Sequence, residues 1–246
     1  STAMIDDAEQ VLGYRFENER LLVEALTHAS IAGHRLQSNE RMEFLGDTIL
    51  GFVVSEYLFK TYPNDLEGEL TKIKSAVVSR KICAKVSHQL NLHRLLNLGK
   101  GMSSRPSLPS SVHAAVFESM IAAIYLDGGL EPAREFILKH VVTSIHETAE
   151  SAHQQNFKSL LQQYAQKHLP SNPTYLLLDE KGPDHSKAFE VCVEINGRRF
   201  GSAWDNSKKE AEQKAALLSL KELGLVEVDD RGHVTLIEPS LARRRA

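Results

Sequence analysis

Asn39–Leu50, with the sequence NERMEFLGDTIL, is the stretch that decides the fold and chemistry of this 246-residue chain. Glu40, Glu43 and Asp47 stand at positions i, i+3 and i+7, so a helix here would project all three carboxylates to one side. Because like charges on one face repel one another, either cations from elsewhere in the protein or a divalent metal ion must offset the repulsion. The apolar residues of the stretch are predicted to anchor the helix in a core: Met42, Phe44, Leu45 and Ile49.

The spacing of these carboxylates has two interpretations. A solvated acidic face with ion pairs to Arg41 or Arg20 is favoured by the spacing alone. A metal site is the alternative, since ligands that are all oxygens suit Mg²⁺ or Mn²⁺. Such ions support phosphodiester hydrolysis by activating a water and stabilising the leaving oxygen.

Apolar residues at helical spacing continue on both sides of this stretch and predict a largely all-α first domain, residues 4–150. The four stripes are Leu21, Leu22, Ala25 and Leu26; Phe44, Leu45, Ile49, Phe52 and Val53; Leu70, Ile73, Val77 and Val78; and Val116, Met120, Ala123 and Ile124. Helix breakers separate them at Gly33, Pro63-Asn64, Gly99–Pro109 and Asp127-Gly128-Gly129. Thr148–Gln155 is polar and is predicted to be a short linker or a helix end.

A second pattern, α-β-β-β-α, occupies residues 154–224 and predicts a smaller α+β domain. Its elements are a helix over Phe157–His168, strands over Thr174–Asp179, Lys187–Ile195 and Arg198–Trp204, and a helix from Asn206 or Ser207 to about Leu223. Asn196-Gly197 predicts the hairpin turn before the third strand, and Gly224 the end of the last helix.

The tail, residues 225–246, has a short candidate strand at His233–Ile237 and ends in Arg243-Arg244-Arg245. These arginines could add a cationic contact to RNA, although a solvated, frayed end is the favoured interpretation.

Composition excludes several classes of protein. Two distant cysteines, Cys83 and Cys192, form neither a disulfide framework nor a zinc pattern and suit the reducing cytoplasm. No apolar run is long enough for a bilayer, and Ser1–Asp7 lacks the regions of a signal peptide. A net charge of -3 gives no global sign of a polyanionic partner, but local cations decide such binding. We therefore expect a cytoplasmic location without membrane association.

The order of residues in NERMEFLGDTIL closely resembles the signature of the ribonuclease III family. Further stretches follow the family's order and cover nearly the whole first domain: Ala25–Ser30 (ALTHAS), Glu67–Thr71 (EGELT), Val77–Ser79 (VVS), Phe117–Met120 (FESM) and Ala122–Gly129 (AAIYLDGG). The resemblance implies an all-α ribonuclease III endonuclease domain that works as a homodimer with Mg²⁺, for which Mn²⁺ would substitute.

The resemblance also implies roles for single residues. Glu43 and Asp47 match the metal-binding carboxylates of the signature helix, and Glu118 matches the metal-ligating glutamate of a second acidic helix. Asp47 and Glu118 are then the catalytic carboxylates. Glu40 matches a glutamate associated more with the dimer interface than with metal. His28, in the family's Thr-His motif, is expected to form hydrogen bonds at a helix end or in the core rather than to catalyse.

The chain departs from the family pattern at Ala115, where the family has the aspartate of Asp-x-x-Glu, three residues before Glu118. Aspartate there would share a helical face with Glu118 and add a fourth carboxylate. His113 does not stand at a spacing that would replace it. Since even outer partners of metal ligands cost about 10–100-fold when lost, we expect weakened metal binding, slower cleavage and unchanged RNA binding.

Two origins of Ala115 stay open. It could be an engineered inactivating change, which the cloning-type Ser1-Thr2-Ala3 ahead of Met4 favours, or a natural divergence.

The second domain resembles the double-stranded-RNA-binding domain in three separated elements: its order of helices and strands, the Gly182-Pro183-Asp184-His185 loop, and the Ser207–Ala216 stretch, SKKEAEQKAA. Lys208 and Lys209 at a helix start suit phosphates. By resemblance, one minor groove is contacted from the first helix and the next by His185 in the loop. The first-helix residues are Ser159, Gln162 and Gln163. Glu212 occupies the position where many members have a third basic residue.

The sequence therefore predicts an endonuclease that hydrolyses both strands of duplex RNA, including ribosomal-RNA precursors and structured messages. The family implies 5′-phosphate and 3′-hydroxyl ends with two-nucleotide 3′ overhangs. The main alternative, which rests on Ala115, is a dimer that binds duplex RNA without cutting it. An assembly module for other proteins is a third interpretation, and salt-sensitive duplex binding would exclude it.

Overall fold

The computed structural model describes residues 2–232 and 234–237, which form two compact units divided between Ala149 and Glu150. The first unit is helical. Its helices are α1 (Thr2–Leu12), α2 (Glu19–Ala25), α3 (Glu40–Thr61), α4 (Glu67–Val77), α5 (Arg80–Gln89), α6 (Lys100–Ser103), α7 (Ser110–Gly128) and α8 (Leu130–Gln154), with 3₁₀ turns at Arg35–Gln37 and Leu92–Arg94. None of the described helices has the length and apolarity that a membrane span requires.

The centre of the first unit is α7, which packs against α2, α3 and α5. It is buried along most of its length, and Phe117, Met120 and Ile124 have no exposed surface. The helix ends where Gly129 adopts a φ of 88°, a left-handed conformation that glycine tolerates. The polar stretch from Thr148 is the end of α8 rather than an extended linker.

The helix α3 has two apolar faces, and only one of them is buried. Met42, Ile49 and Val53 are buried as expected. The side chain of Phe44, predicted to anchor the core, is 79% exposed, and Phe52 is 50% exposed. The prediction that Phe44 anchors the helix in the core was wrong, because helical periodicity reports an apolar face without reporting what covers it.

The helix α1 was not anticipated, although its apolar spacing is visible in the sequence. Ile5, Ala8 and Leu12 follow the i, i+3, i+7 pattern, and Ala8 and Leu12 are buried. The core of the first unit therefore includes residues of α1 from Ala8 onwards.

The second unit places two helices against an antiparallel sheet. Its elements are α9 (Phe157–His168), β1 (Thr174–Lys181), β2 (Ala188–Ile195), β3 (Arg198–Arg199), β4 (Ala203–Asp205), α10 (Lys208–Glu222), β5 (Val226–Val228) and β6 (Val234–Leu236). The strand β2 pairs with β1, β3 and β4, and both helices contribute to one core with it. Asn196 and Gly197 have φ values of 50° and 79°, as the two-residue hairpin turn requires.

The predicted third strand, Arg198–Trp204, is divided into β3 and β4. Between them Gly201 donates its N–H to Glu222 Oε1 at 2.8 Å, and the Ser202 hydroxyl donates to Glu190 Oε1 at 2.7 Å. These side-chain contacts replace the regular ladder to β2, so the prediction of one continuous strand was wrong at its centre.

In the tail, β5 and β6 form a small hairpin that includes most of the predicted strand at 233–237. His233 and Arg243–Arg245 lie outside the described residues.

Candidate functional site

The carboxylate site of the first unit is built where α3 and α7 approach each other most closely, at Gly46. A Cβ atom placed on Gly46 would lie 1.8 Å from the backbone oxygen of Glu118, so only glycine permits this contact. Asp47 follows Gly46 directly, and the close approach therefore brings the end of the signature stretch next to Glu118. The sequence alone did not indicate this role for Gly46, although a glycine inside a predicted helix and directly before an acidic residue was a usable signal.

Hydrogen bonds around one backbone oxygen hold the same helices to α2. Asn39 Nδ2 donates to Ala25 O at 3.2 Å, and the buried Ser119 hydroxyl donates to the same oxygen at 2.8 Å. The backbone N–H of Asn39 also donates to Thr27 O at 2.8 Å. Asn39 precedes α3 and Ser119 adjoins Glu118, so both acidic helices are anchored at a shared point. Sequence reasoning did not assign these roles.

The electrostatics of the site are those of carboxylates held together. Burial, followed by the negative charges of Asp47 and Glu43, raises the pKa of Glu118 to about 7. Burial also raises the pKa of Glu43, followed by the charges of Glu40 and Asp47. The cation Arg80, at the start of α5, opposes the increase at both Glu43 and Glu118. The three predicted ligands therefore influence one another.

Cys83 is a neighbour of this site for which the sequence alone predicted no role there. It is 1% exposed on α5, its thiol donates to Val78 O at 3.7 Å, and its contact with Glu118 lowers the pKa of that carboxyl. Burial raises the pKa of the Cys83 thiol to about 12, with smaller contributions from Glu118 and Asp47. The thiol is therefore protonated at neutral pH, and its proton offsets part of the negative charge.

The donor set fits a hard divalent cation, because Glu43, Asp47 and Glu118 offer oxygen only. Within residues 2–232 and 234–237, no three His, Cys, Asp or Glu side chains are arranged to hold a metal ion by themselves. Mg²⁺ in proteins usually takes one or two carboxylates and completes its shell with water and substrate phosphates. Two carboxylates, such as those of Asp47 and Glu118, are therefore enough for a Mg²⁺ site, and a closed cage of protein ligands is not needed.

Ala115 lies one turn before Glu118 on α7 and is 9% exposed. It brings no oxygen to the site, so the fourth carboxylate of the family pattern is missing here. His113 does not replace it, since its ring packs 5.0 Å from the ring of His93 and 5.5 Å from that of His88.

Glu40 and His28 have contacts of their own. Glu40 forms an ion pair with Arg35, 2.9 Å between Oε1 and the guanidinium, and this partner lowers the pKa of Glu40. His28 Nδ1 accepts from the N–H of Ser30 at 3.0 Å. The hydrogen-bonding role expected for His28 is thus observed, in the turn after α2.

In the second unit, the predicted phosphate-binding residues stand at the start of α10. Ser207 caps this helix by accepting from the N–H of Glu210 at 3.1 Å. Lys208 and Lys209 are the first two helical residues, and both are exposed. Lys208 Nζ lies 5.4 Å from the centre of the Phe189 ring. Exposed ammonium groups at a capped helix start form a suitable site for phosphate.

The predicted minor-groove residues lie on α9 and in the loop between β1 and β2. Ser159 and Gln162 are half-buried, Gln163 is exposed, and Gln162 Nε2 donates to Asn172 Oδ1 at 3.2 Å. His185 is exposed in a loop shaped by Gly182, whose φ is 94°. The helices α9 and α10 pack against each other, which places Ser159, Gln162 and Gln163 on an element next to the one that carries Lys208 and Lys209.

Comparison with known proteins identifies both units. The sequence model of a Ribonuclease-III-like family matches residues 18–145, and that of the Double-stranded RNA binding motif matches residues 157–223. The chain belongs to the ribonuclease III family. Ribonuclease 3 of Rhodopirellula baltica is 48% identical over 91% of this chain and 84% of its own length. Ribonuclease 3 of Symbiobacterium thermophilum is 40% identical over 86% and 91% respectively.

A solved structure agrees with this membership. The nuclease domain of ribonuclease III from Campylobacter jejuni, described for flexibility in a region involved in dimer formation, is 36% identical with a TM-score of 0.54. It covers 57% of this chain and 97% of that domain. The expected family and fold class, a helical ribonuclease III domain followed by an α+β RNA-binding domain, are confirmed. Membership assigns the chain to the endoribonucleases.

Proposed function

We propose that this ribonuclease III hydrolyses both strands of duplex RNA with Mg²⁺ as its cofactor, leaving 5′-phosphate and 3′-hydroxyl ends with two-nucleotide 3′ overhangs. The observation that carries the proposal is the close approach of α3 and α7 at Gly46, which brings Glu118 into the field of Asp47 and Glu43. Precursors of ribosomal RNA and structured messages in the cytoplasm are the proposed substrates.

The residues of the carboxylate site would have different roles in hydrolysis. Glu43, Asp47 and Glu118 are the proposed ligands, of which a pair such as Asp47 and Glu118 would bind the cation directly; when bound, the cation supplies water activation and stabilisation of the leaving oxygen. Glu118 must lose its proton to serve as a ligand, so proton and cation compete for it near neutral pH. Arg80 and the Cys83 thiol reduce the repulsion among the carboxylates while no cation is present.

A homodimer is part of the proposal, because duplex cleavage on both strands needs two centres. The exposed face of α3 supports it, since Phe44, Phe52 and Phe59 are 79%, 50% and 72% exposed on one side of the helix. Large apolar side chains grouped on a surface mark an interface with another protein. Glu40 lies at the start of the same helix, where the family resemblance places the dimer contact. A monomer at micromolar concentration would contradict this part of the proposal.

The RNA-binding domain contributes affinity as a tethered second site. Lys208 and Lys209 would bind phosphates, while Ser159, Gln162, Gln163 and His185 would contact successive minor grooves. Salt-sensitive binding of duplex RNA is expected, and its absence would favour the alternative of a protein-assembly module.

The test is cleavage of a long RNA duplex in Mg²⁺, at equal RNA occupancy, by this chain and by its Ala115→Asp variant. We expect the Asp variant to cut about 10–100-fold faster, because a fourth oxygen ligand joins Glu118 on α7. Ala115→Asn is the matched control, since it adds the same volume without a carboxylate and should not accelerate cleavage.

Three other outcomes would change the conclusion. Fast cleavage by the unaltered chain would mean that Glu43, Asp47 and Glu118 suffice and that the interpretation of Ala115 is wrong. Equal acceleration by the Asp and Asn variants would show that the negative charge of the added carboxylate has no role. If no variant cuts but all bind duplex RNA, the protein is a non-cleaving RNA-binding dimer, the second candidate function that Ala115 supports.

A further inference from the structure

The first helix of the RNA-binding domain, α9, is capped by a residue of the second helix. A helix leaves its first four backbone N–H groups without intrahelical partners. In α9, Asn156 Oδ1 accepts from the N–H of Ser159 at 3.2 Å, as an ordinary N-cap does. The N–H of Lys158, however, donates to Gln213 Oε1 on α10 at 3.1 Å. Gln213 Nε2 in turn donates to Asn156 Oδ1 at 3.1 Å, so one side chain holds both the cap and the first turn.

The residue before Gln213 reinforces this contact. Glu212 forms an ion pair with the ammonium group of Lys158, which also lies 4.5 Å from the centre of the Tyr175 ring. Consecutive residues of α10 thus hold the backbone and the side chain of Lys158. The ammonium group of Lys158 is therefore held by contacts within the domain. Glu212 stands where many members of the family have a third basic residue, and in this chain it forms the ion pair with Lys158.

The two helices that meet at this point carry different RNA contacts. Lys209 stands one turn before Gln213 on α10, and Ser159 directly follows Lys158 on α9. Duplex RNA in the A form fixes the spacing between its minor groove, with its 2′-hydroxyls, and the phosphates of the adjoining major groove. A protein that contacts both must therefore hold its two contact elements at a matching spacing.

We propose that Gln213 is a positioning residue for recognition of RNA duplexes: by capping α9 from α10, it sets the minor-groove contacts in register with the phosphate contacts. This inference rests on the proposed binding of duplex RNA. Gln213 is half-buried and need not touch the RNA itself.

The test compares binding of an RNA duplex and a DNA duplex of the same sequence by the full chain, in EDTA so that no cleavage occurs. Gln213→Met keeps the length of the side chain and removes both hydrogen bonds. We expect its Kd for the RNA duplex to rise about tenfold, because the RNA must then order the two helices as it binds. The Kd for the DNA duplex should stay within about twofold, because phosphate contacts by Lys208 and Lys209 remain. The preference for RNA therefore falls, while the salt dependence of binding is unchanged.

Two further variants make the result specific. Gln89→Met, the same change at an exposed glutamine of α5, should alter neither Kd. Gln213→Glu keeps the acceptor for the Lys158 N–H but loses the donor to Asn156, so its RNA preference should fall between those of wild type and Gln213→Met.

The inference is overturned if Gln213→Met retains the RNA preference of the wild type. It is also overturned if both Kd values rise together with a loss of helical circular dichroism, since the role of Gln213 would then be structural only. A wild-type chain that binds neither duplex would instead refute the proposed function, and one that binds both equally would leave no RNA recognition for Gln213 to support.

Discussion

Glu118 and Lys209 are both proposed to act on RNA, yet their surroundings are opposite. Glu118 is half-buried where α7 contacts α3, and a methyl group added to Gly46 of α3 would collide with the backbone of Glu118. Burial and the neighbouring carboxylates raise the pKa of Glu118 to about 7. Lys209 is exposed at a capped helix start, and its side chain is not needed by the core of the RNA-binding domain.

The difference separates two ways of building a functional group into a fold. A cation site needs several like charges at fixed positions, so packing must hold them together against their repulsion, and this costs stability. A phosphate-binding surface needs only accessible cations on a rigid element, which folding permits without such a cost. Mutations should therefore change stability in the first region and binding in the second.

The largest effect is expected from Gly46→Ala. The new Cβ would lie 1.8 Å from Glu118 O, so α3 and α7 must separate, at a cost of about 3 kcal/mol in the free energy of unfolding of the first unit. Urea denaturation followed by circular dichroism measures this change.

Gly51→Ala is the matched control on the same helix. A Cβ there meets only the end of the Lys74 side chain, at 3.5 Å, so the variant should gain up to about 1 kcal/mol from helix propensity. Equal destabilisation by both variants would show that the close contact at Gly46 has no special importance.

The contrast between the regions also explains what the sequence could predict. The repeating apolar pattern was sufficient for most helices. The Asn196-Gly197 turn was placed correctly, and Ser207 is one of the two predicted caps, because these features depend on residues close together in the chain. The convergence of Glu118 with Asp47 depends on α3 and α7 packing at Gly46, and no local pattern contains that contact.

The errors have the same origin. Phe44 fits an apolar helical stripe, but whether such a stripe faces the core or another molecule is decided by tertiary packing. The break between β3 and β4 depends on Glu222, which lies on the far end of the following helix. To predict the exposure of Phe44 or the break between β3 and β4, one must know which residues distant in sequence pack nearby, and the spacing of residues along the chain does not give this.

A smaller effect, confined to binding, is expected from Lys209→Ala. Loss of one phosphate contact should weaken RNA binding a few-fold and reduce the slope of log K against log salt by about 1. Because the side chain is exposed, the midpoint of unfolding should not move. Lys221→Ala, at the other end of α10, is the control and should leave the slope unchanged. If Lys209→Ala lowers stability as Gly46→Ala does, the proposed separation of the two regions is wrong.

The smallest effect is a pH-dependent change of stability at Glu118. Its pKa is about 7 in the folded chain against an ordinary value of 4.5, so the folded state binds more protons than the unfolded state between these values. The stability contributed by this group is therefore complete below about pH 4.5 and is lost as the pH rises towards 7. Solvent reduces the size of the effect, because the carboxyl is only half-buried.

Glu118→Gln removes this ionisation and keeps the size of the side chain. In EDTA, the difference in free energy of unfolding between the variant and the wild type should grow in favour of the variant from about pH 5 to about pH 8. Other groups that titrate in this range, including the histidines, are common to both proteins and cancel in the difference. Added Mg²⁺ should reverse the trend above pH 7, because only the wild type retains the ligand that the ion would stabilise. A difference that stays constant with pH would mean that Glu118 ionises freely in the fold, and the carboxylates would then not oppose the packing that holds them.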